Sequence, residues 1–299
     1  MNQLQLGGGD RSMKSAVLLV LLAAPLAAQA PPGTDIFIVP LGGTGGALTT
    51  GVPRNITARA GYDNQPFFAP DRRSLYYTSQ RGGQTDIYRY DLAAGTTTQV
   101  TRTPENEYSP TIMPDGKHFS VIRDSTQHLW SFTLDGTPVR ALLDSVRPIG
   151  YHTWLNPDTV FVFVLGSPAT LRRAELAGGT AVVVARDIGR ALLTVPGRRA
   201  VSFAQRDSAG YLVRTIDPVT GRGETLIRLP EDNEFFIWLA DGSLLSASGN
   251  RLLRWRVGEK AWSEVTRFTE PGLQRITRLA VSPAGDRLAL VGVDPAPPQ

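Results

Sequence analysis

The sequence has no cysteine, only three lysines and three histidines, and no apolar run long enough to cross a membrane. The lack of cysteine excludes disulfides, thiolate metal sites and the lipidated cysteine of a lipoprotein. A membrane-spanning helix requires about 20 apolar residues, so we expect no stable membrane span. The fold must therefore be closed by contacts other than disulfides.

The charge balance does not point to nucleic acid. The net charge is +4 and the pI about 9.6, but the arginines that supply most of the positive charge are scattered. Nucleic-acid sites concentrate basic residues on one face or along one element. We therefore expect no nucleic-acid partner.

Known catalytic patterns are also missing. There is no G-x-S-x-G nucleophile elbow, and His118, His128 and His152 do not have zinc-site spacing. The glycine-rich run 42–46 lies between two predicted strands and is typical of a turn. These absences favour a non-catalytic protein, and we expect no cofactor.

The N-terminal segment resembles a secretory signal. Lys14 precedes a short apolar run, and Ala28-Gln29-Ala30 forms a possible cleavage site, with Met13 as an alternative start. Retention as an N-terminal anchor is the alternative. We assign residues 1–30 to a signal segment, 31–294 to the fold and 295–299 to a proline-rich tail, and expect a periplasmic or secreted protein.

The remainder of the chain consists of repeats. Each repeat has an apolar strand, a Pro/Asp/Gly turn, a second strand, a polar loop, a third strand and a fourth. Six third strands align as TDIFIVPL (from Thr34), TDIYRYDL (Thr85), QHLWSFTL (Gln127), ATLRRAEL (Ala169), GYLVRTID (Gly210) and NRLLRWRV (Asn250). Their spacing of about 40 to 50 residues is that of a four-stranded propeller blade.

The first and last repeats are incomplete and complement each other. The chain begins with a third and a fourth strand (35–41 and 48–57) and finishes with a first and a second (277–282 and 287–293). The sequence therefore predicts an all-β, six-bladed β-propeller whose termini share one blade. The five other blades are predicted at 58–100, 101–145, 146–187, 188–229 and 230–269. A β-sandwich or an up-and-down barrel is the alternative.

The repeats resemble the TolB-type six-bladed β-propeller family. The resemblance rests on Asp63, Pro66, Pro70-Asp71, the run 78–83 and Asp86-Ile87-Tyr88. The second repeat keeps Pro110 and Pro114-Asp115-Gly116, and the later repeats are degenerate. The resemblance covers about residues 33–294 and implies the fold, together with a role as a periplasmic protein-binding platform or as the non-catalytic half of a peptidase.

Binding sites of propellers usually lie at one mouth of the central channel. Here we expect the mouth to be formed by the loops that lead into the first strands and those that join second to third strands. The candidate binding residues are Asp63, Asn64, Glu107, Tyr108, Tyr151, His152, Arg190, Asn233, Glu234 and Arg278, accompanied by Arg81, Arg123, Arg206 and Arg251. Arginine forks and aromatic anchors suit a peptide or protein segment.

Each candidate has a structural alternative. Asp63 and Glu107 could lock adjacent blades, Tyr108 and Tyr151 could pack between blades, and His152 could be a structural histidine beside a tryptophan. The companion arginines could form a solvated face.

A calcium site is a further hypothesis. Calcium prefers carboxylate and carbonyl oxygens, and Glu234, Asn233, Asn64 and Glu107 would be the ligands. An acidic solvent loop at residues 231–234 is the alternative.

Three functional hypotheses follow from the sequence. The first is an exported, monomeric, non-catalytic platform that binds a protein or peptide at the cell envelope. The others are a calcium-dependent propeller hydrolase or lactonase, and a propeller subunit that docks onto a separate peptidase.

Overall fold

The structure is a computed structural model that describes Met1 and residues 33–293, apart from 44–45, 124 and 232. The predicted signal segment and the proline-rich tail lie outside the described residues, as do two glycine-run positions, 44 and 45, and Asp232. Among the described residues, no helix is long and apolar enough to span a membrane.

The described chain forms six antiparallel sheets, which are the blades of a propeller. Blade 1 contains β4 (Asp63–Phe68), β5 (Ser74–Arg81), β6 (Gln84–Asp91) and β7 (Thr97–Gln99); blade 2 contains β8 (Glu107–Ile112), β9 (His118–Arg123), β10 (His128–Thr133) and β11 (Pro138–Ala141). Blade 3 contains β12 (Ile149–Trp154), β13 (Thr159–Val164), β14 (Thr170–Glu175) and β15 (Thr180–Arg186); blade 4 contains β16 (Ile188–Thr194), β17 (Val201–Asp207), β18 (Gly210–Ile216) and β19 (Gly223–Arg228). Blade 5 contains β20 (Phe236–Trp238), β21 (Leu244–Ser248), β22 (Arg251–Trp255) and β23 (Ser263–Arg267).

Blade 6 is built from both ends of the described chain. Its strands are β24 (Ile276–Val281), β25 (Arg287–Val293), β1 (Thr34–Gly42) and the short pieces β2 (Thr49–Thr50) and β3 (Arg54–Asn55). The antiparallel ladder between β1 and β25 runs from Thr34↔Val293 to Pro40↔Arg287. The predicted fold class and the closure by terminal strands are therefore confirmed. The predicted fourth strand is divided into two pieces, and a single 3-10 turn (Pro271–Leu273) precedes β24.

The first strands of the blades form the inner ring. Each contacts the first strand of the next blade, and β24 of blade 6 contacts β4 of blade 1, so the ring is continuous. In this order, blade 3 lies across the ring from blade 6. The loops that lead into the first strands lie at one end of the channel, which we call the mouth. The turns that follow the first strands lie at the other end, which we call the turn face.

Burial differs with the position of a strand in its blade. The second strand β13, with the sequence TVFVFV, is buried at every residue, whereas the outer strand β15 is largely exposed. Middle strands are apolar on both faces because a neighbouring blade covers each face. This explains why they read as continuous apolar runs instead of an alternating pattern.

We expect the closing strand β1 to be essential for stability. Ile36 is 0% exposed and packs in a core cluster with Tyr77, Tyr88 and Val291. Ile36→Ala would leave a cavity between blades 6 and 1, and we expect it to lower the free energy of unfolding by about 2–5 kcal/mol. Urea denaturation of the full chain measures this loss.

Val52→Ala is the matched control, because Val52 lies in the same terminal segment and is 82% exposed. We expect that change to stay within about 0.5 kcal/mol. An equal, small effect of both substitutions would contradict a closing role for β1.

Candidate binding site at the channel mouth

A central channel runs through the ring, with a cavity of about 450 Å³. Its wall takes residues from the first strands of all six blades and is mainly apolar, including Phe67, Leu192, Phe235 and Leu279. A largely apolar cavity with a few polar groups is the usual form of a ligand site.

Bulges in the first strands shape this wall. In β4 the register with β5 shifts between Asn64 and Phe67, and in β8 the register with β9 shifts between Tyr108 and Thr111. The residues inside these bulges, Gln65 and Ser109, have φ values of 57° and 56°, which non-glycine residues adopt rarely. Both precede a proline of the repeat.

Gln65 links two blades from its bulge. Its side-chain oxygen accepts a hydrogen bond of 2.7 Å from the Thr78 hydroxyl and another of 2.7 Å from the backbone N–H of Ser109. The unusual φ is therefore held by bonds that connect blades 1 and 2 beside the channel.

A second cavity of about 430 Å³, which we call the mouth pocket, adjoins the channel and shares Gln65, Tyr151 and Arg190 with it. Three tyrosines contribute to its lining, namely Tyr62, Tyr108 and Tyr151. Each belongs to, or directly precedes, the first strand of its blade. The mouth pocket thus combines aromatic surface with hydroxyl groups.

Arg278 lines the channel and reaches across it from blade 6 to blade 3. It belongs to β24 in blade 6, and its guanidinium donates a hydrogen bond of 3.2 Å to the Tyr151 hydroxyl in blade 3. The guanidinium carbon lies 4.9 Å from the centre of the Tyr151 ring and 4.3 Å from that of Phe235. The cation is held between two aromatic faces, a favourable arrangement for a partly desolvated guanidinium.

Arg190 and Glu234 join blades 4 and 5 at the rim. The Glu234 carboxylate accepts a hydrogen bond of 2.8 Å from the Arg190 backbone N–H and lies 3.3 Å from Nε of the same arginine. Gly189 makes room for this contact, because a Cβ there would lie 2.7 Å from the Glu234 carboxylate. Two candidates from distant parts of the sequence are thus brought together.

Asp63 and Glu107 lie elsewhere, in the junctions between blades. Both are 0% exposed. Asp63, at the start of β4, lies 3.5 Å from Nε of Arg59. Glu107, at the start of β8, accepts a hydrogen bond from the Thr103 hydroxyl and lies 3.4 Å from Nε of Arg123. Neither carboxylate reaches the surface of the mouth.

The two junctions follow one pattern. A Thr-Asp pair on the third strand, Thr34-Asp35 or Thr85-Asp86, precedes the acidic residue of the next blade. A threonine after the fourth strand accepts a backbone N–H bond from the third strand, from Ile36 to Thr57 (2.9 Å) and from Ile87 to Thr101 (2.8 Å). The repetition indicates a structural device that joins blades 6 and 1 and blades 1 and 2.

Burial changes the acidity of these groups. Desolvation raises the pKa of Glu107 to about 7, and hydrogen bonds from Thr103 and Thr101 only partly oppose it. Desolvation also raises the pKa of Asp86. The charge of Asp86 raises the pKa of Glu107 further, because two nearby carboxylates each disfavour the ionised form of the other.

His152 is part of a buried hydrogen-bond chain. Its Nε2 lies 2.6 Å from the Ser120 hydroxyl, and that hydroxyl accepts a bond of 2.9 Å from the Trp154 indole N–H. Desolvation lowers the pKa of His152 to about 3, so the imidazole is neutral at physiological pH. Trp238 and Ser202 make the same bond at 2.8 Å without a histidine. The repeated Trp–Ser bond connects successive blades, which favours the structural interpretation of His152.

The side chains of Asn64 and Asn233 form hydrogen bonds with backbone groups. The Asn64 side-chain oxygen accepts the Gln65 N–H at 2.8 Å. The Asn233 amide donates to the Ala247 carbonyl and accepts the Phe235 N–H, both at 2.8 Å.

The four proposed calcium ligands are each engaged in a separate local network. Within the described ranges, no group of three or more His, Cys, Asp or Glu side chains forms a metal-binding cluster. Calcium binding stays a prediction, which calorimetry with the wild type and Glu234→Ala would test.

The companion arginines mostly contact their own blades. The Arg81 guanidinium lies 4.1 Å from the centre of the Tyr88 ring, and that of Arg123 lies 4.5 Å from the Trp130 ring. Arg251 donates to the Ser248 hydroxyl at 2.9 Å. Arg81 and Arg123 therefore use their guanidinium groups for packing against aromatic rings of their own blades.

Sequence reasoning missed Tyr62, Gln65 and Phe235. Tyr62 and Phe235 are direct neighbours of the candidates Asp63 and Glu234, so a tyrosine or phenylalanine near the start of several first strands was an available signal. Gln65 could not be found in this way, because its contact with blade 2 depends on the bulge.

Comparison with known proteins defines the class. Residues 32–150 match the family described as "TolB beta propeller domain". Over these residues the chain is similar to that family, and the whole ring is a six-bladed β-propeller.

The proteins similar to the chain include one relative and two solved structures. An uncharacterized protein of Agrobacterium fabrum is 30% identical over 112 residues, which cover 36% of this chain and 35% of that protein. The match thus spans about a third of the relative. A protein of Agrobacterium tumefaciens provisionally assigned as TolB has a TM-score of 0.69 at 14% identity, covering 89% of this chain and 100% of that one. TolB from Acinetobacter baumannii has a TM-score of 0.58 at 17% identity, covering 88% and 65%. At these identities the structures show a shared fold.

We expect the buried acid pair to make stability depend on pH. Because the folded-state pKa of Glu107 is raised above its ordinary value, the folded protein binds more protons than the unfolded chain between about pH 4.5 and 7. Stability should therefore fall as the pH rises through this window. Glu107→Gln, which imitates the protonated acid, should raise the free energy of unfolding at pH 8 by about 1–3 kcal/mol and flatten the profile.

Thermal and urea unfolding at pH 5 and pH 8 measure this difference. Glu224→Gln is the control, since Glu224 is an exposed carboxylate on an outer strand. Destabilisation by Glu107→Gln at pH 8 would show that the carboxylate is ionised and stabilising in the junction.

Proposed function

We propose that this chain is an exported, non-catalytic propeller that binds a segment of a protein partner at its mouth, at the cell envelope. The observation that carries the proposal is the mouth pocket joined to the channel, where tyrosines and two arginines surround a largely apolar cavity. Tyrosine and arginine are, with tryptophan, the residues most enriched among the energetic hot spots of protein interfaces.

Two further features support a binding role. The TolB-like fold supplies a rigid ring, and the candidate residues Tyr108, Tyr151, Arg190 and Arg278 lie on or beside the first strands of four different blades. A site built on rigid strands holds its contacts in place before binding, which lowers the entropic cost of association.

The positions of the acidic and basic groups with shifted pKa values argue against catalysis. Glu107 and His152 have strongly shifted pKa values, but Glu107 is sealed in a blade junction and His152 is bonded to a fully buried serine. A general base must reach the proton that it removes from a substrate. Turnover of a substrate that is lost on changing mouth residues would contradict this part of the proposal.

The envelope location is proposed from the sequence and the family. The segment 14–30 has the charged start, apolar run and small residues of an export signal. Cell fractionation of the full chain with an epitope at its C-terminus measures the location. Recovery in the cytoplasmic fraction would contradict export.

We expect the mouth to retain a partner in a quantitative pull-down from envelope extract. The double variant Arg190→Ala/Glu234→Ala removes the ion pair at the rim and should reduce the retained partner at least about tenfold, because a bound segment loses its polar contacts there. The full chain is immobilised, and partners are identified by mass spectrometry.

Arg198→Ala/Glu224→Ala is the matched control, because this exposed pair, 3.2 Å apart, lies at the turn face. It should retain the partner as the wild type does. An equal loss of retained partner in both double variants would exclude the mouth as the binding face. A hydrolase among the specifically retained partners would favour the peptidase-subunit hypothesis.

A further inference from the structure

Arg278 has no counter-charge among the described residues. No carboxylate there forms an ion pair with it, and its polar partner is the Tyr151 hydroxyl. Arg190, which lines the mouth pocket, already forms an ion pair with Glu234. The centre of the channel therefore carries one uncompensated positive charge.

Hydrogen-bond donors lie in the mouth pocket that adjoins this charge. Among the described residues, the hydroxyls of Tyr62 and Tyr108 have no hydrogen-bond partner, although both side chains are half-buried and line the mouth pocket. The Tyr151 hydroxyl accepts from Arg278 and keeps its own hydrogen free to donate. Burial raises the pKa of Tyr62, so this phenol stays protonated near Arg278 and Arg190.

The environment strengthens any charge interaction at this position. The guanidinium lies between the rings of Tyr151 and Phe235, and the apolar wall of the channel continues below it. Charge pairs gain strength where water is displaced by apolar groups. A guanidinium offers a planar fork that fits a carboxylate with two parallel hydrogen bonds.

We propose that the mouth recognises a carboxylate next to an apolar group, with Arg278 as its ion-pair partner and the tyrosine hydroxyls as additional donors. The partner segment supplies the carboxylate as an Asp or Glu side chain, and the adjacent apolar side chain enters the channel. This inference rests on the proposed function, because it names the chemistry of the segment that the same mouth binds.

A peptide array tests this chemistry with matched twins. Each blocked peptide contains Glu between two apolar residues in varied neutral flanks, and its twin has Gln in place of Glu. The full chain is applied to the array, and the best pairs are measured by calorimetry. We expect Glu peptides to bind at least about tenfold more tightly than their Gln twins, a difference that shrinks at high salt.

Variants assign the preference to one residue. Arg278→Gln should remove the preference for Glu, and Arg278→Lys, which keeps the charge but loses the fork, should retain part of it. Arg198→Gln changes an arginine at the turn face and should keep the full preference. Thermal unfolding of every variant confirms that the ring is folded.

The outcomes separate this inference from the proposed function. Peptides that bind equally with Glu and Gln, whatever stands at position 278, overturn carboxylate recognition and leave peptide binding at the mouth intact. Binding of sodium hexanoate, but of no peptide, in a manner that depends on Arg278 overturns the peptide source and identifies a small carboxylate as the ligand. If neither probe binds, the inference is wrong, and the envelope pull-down decides the proposed function independently.

Discussion

The ladder between β1 and β25 is the interaction on which the rest of the structure depends. The six blades form a closed ring because strands from the two ends of the described chain meet in one blade, and a closed ring leaves only short, protected sheet edges. Here that meeting is a continuous antiparallel ladder whose apolar residues join the cores on both sides. Because cysteine is absent, hydrogen bonds and apolar burial alone close the ring.

Closure creates six junctions, and the chain stabilises them unequally. The junctions around blade 1 contain buried acids, threonines and Gln65, whereas those after blades 2 and 4 use a tryptophan that donates to a serine. Buried polar groups are costly unless they are bonded, so each such pair also fixes the register of one blade against the next. The region with buried acids coincides with the stretch that matches the TolB-type family.

The polar groups of the mouth differ from those of the junctions, which are paired with one another. Asp63, Glu107 and His152 carry the strongest chemical signals in the sequence, yet they lie in junctions or bonded chains. Arg278 carries a weak signal, yet within the described ranges no carboxylate pairs with its charge in the channel. A site for a partner is expected where charges and donors remain unsatisfied, since association then replaces lost hydration with new bonds.

The sequence by itself determined the architecture. Strand periodicity, turn residues and repeat spacing are local properties, and complementary half-repeats such as 35–41 and 287–293 are visible without coordinates. It also placed Tyr108, Tyr151, Arg190 and Arg278 near one mouth, because every first strand starts at the same end of the channel. Only the tertiary structure decided which of the candidates face the channel. A bulge redirects side chains, as at Gln65, and a contact such as Tyr151 with Arg278 joins blades 3 and 6 across the ring over 127 residues of sequence. Burial, and therefore pKa and access, depends on such distant neighbours, which no local pattern contains.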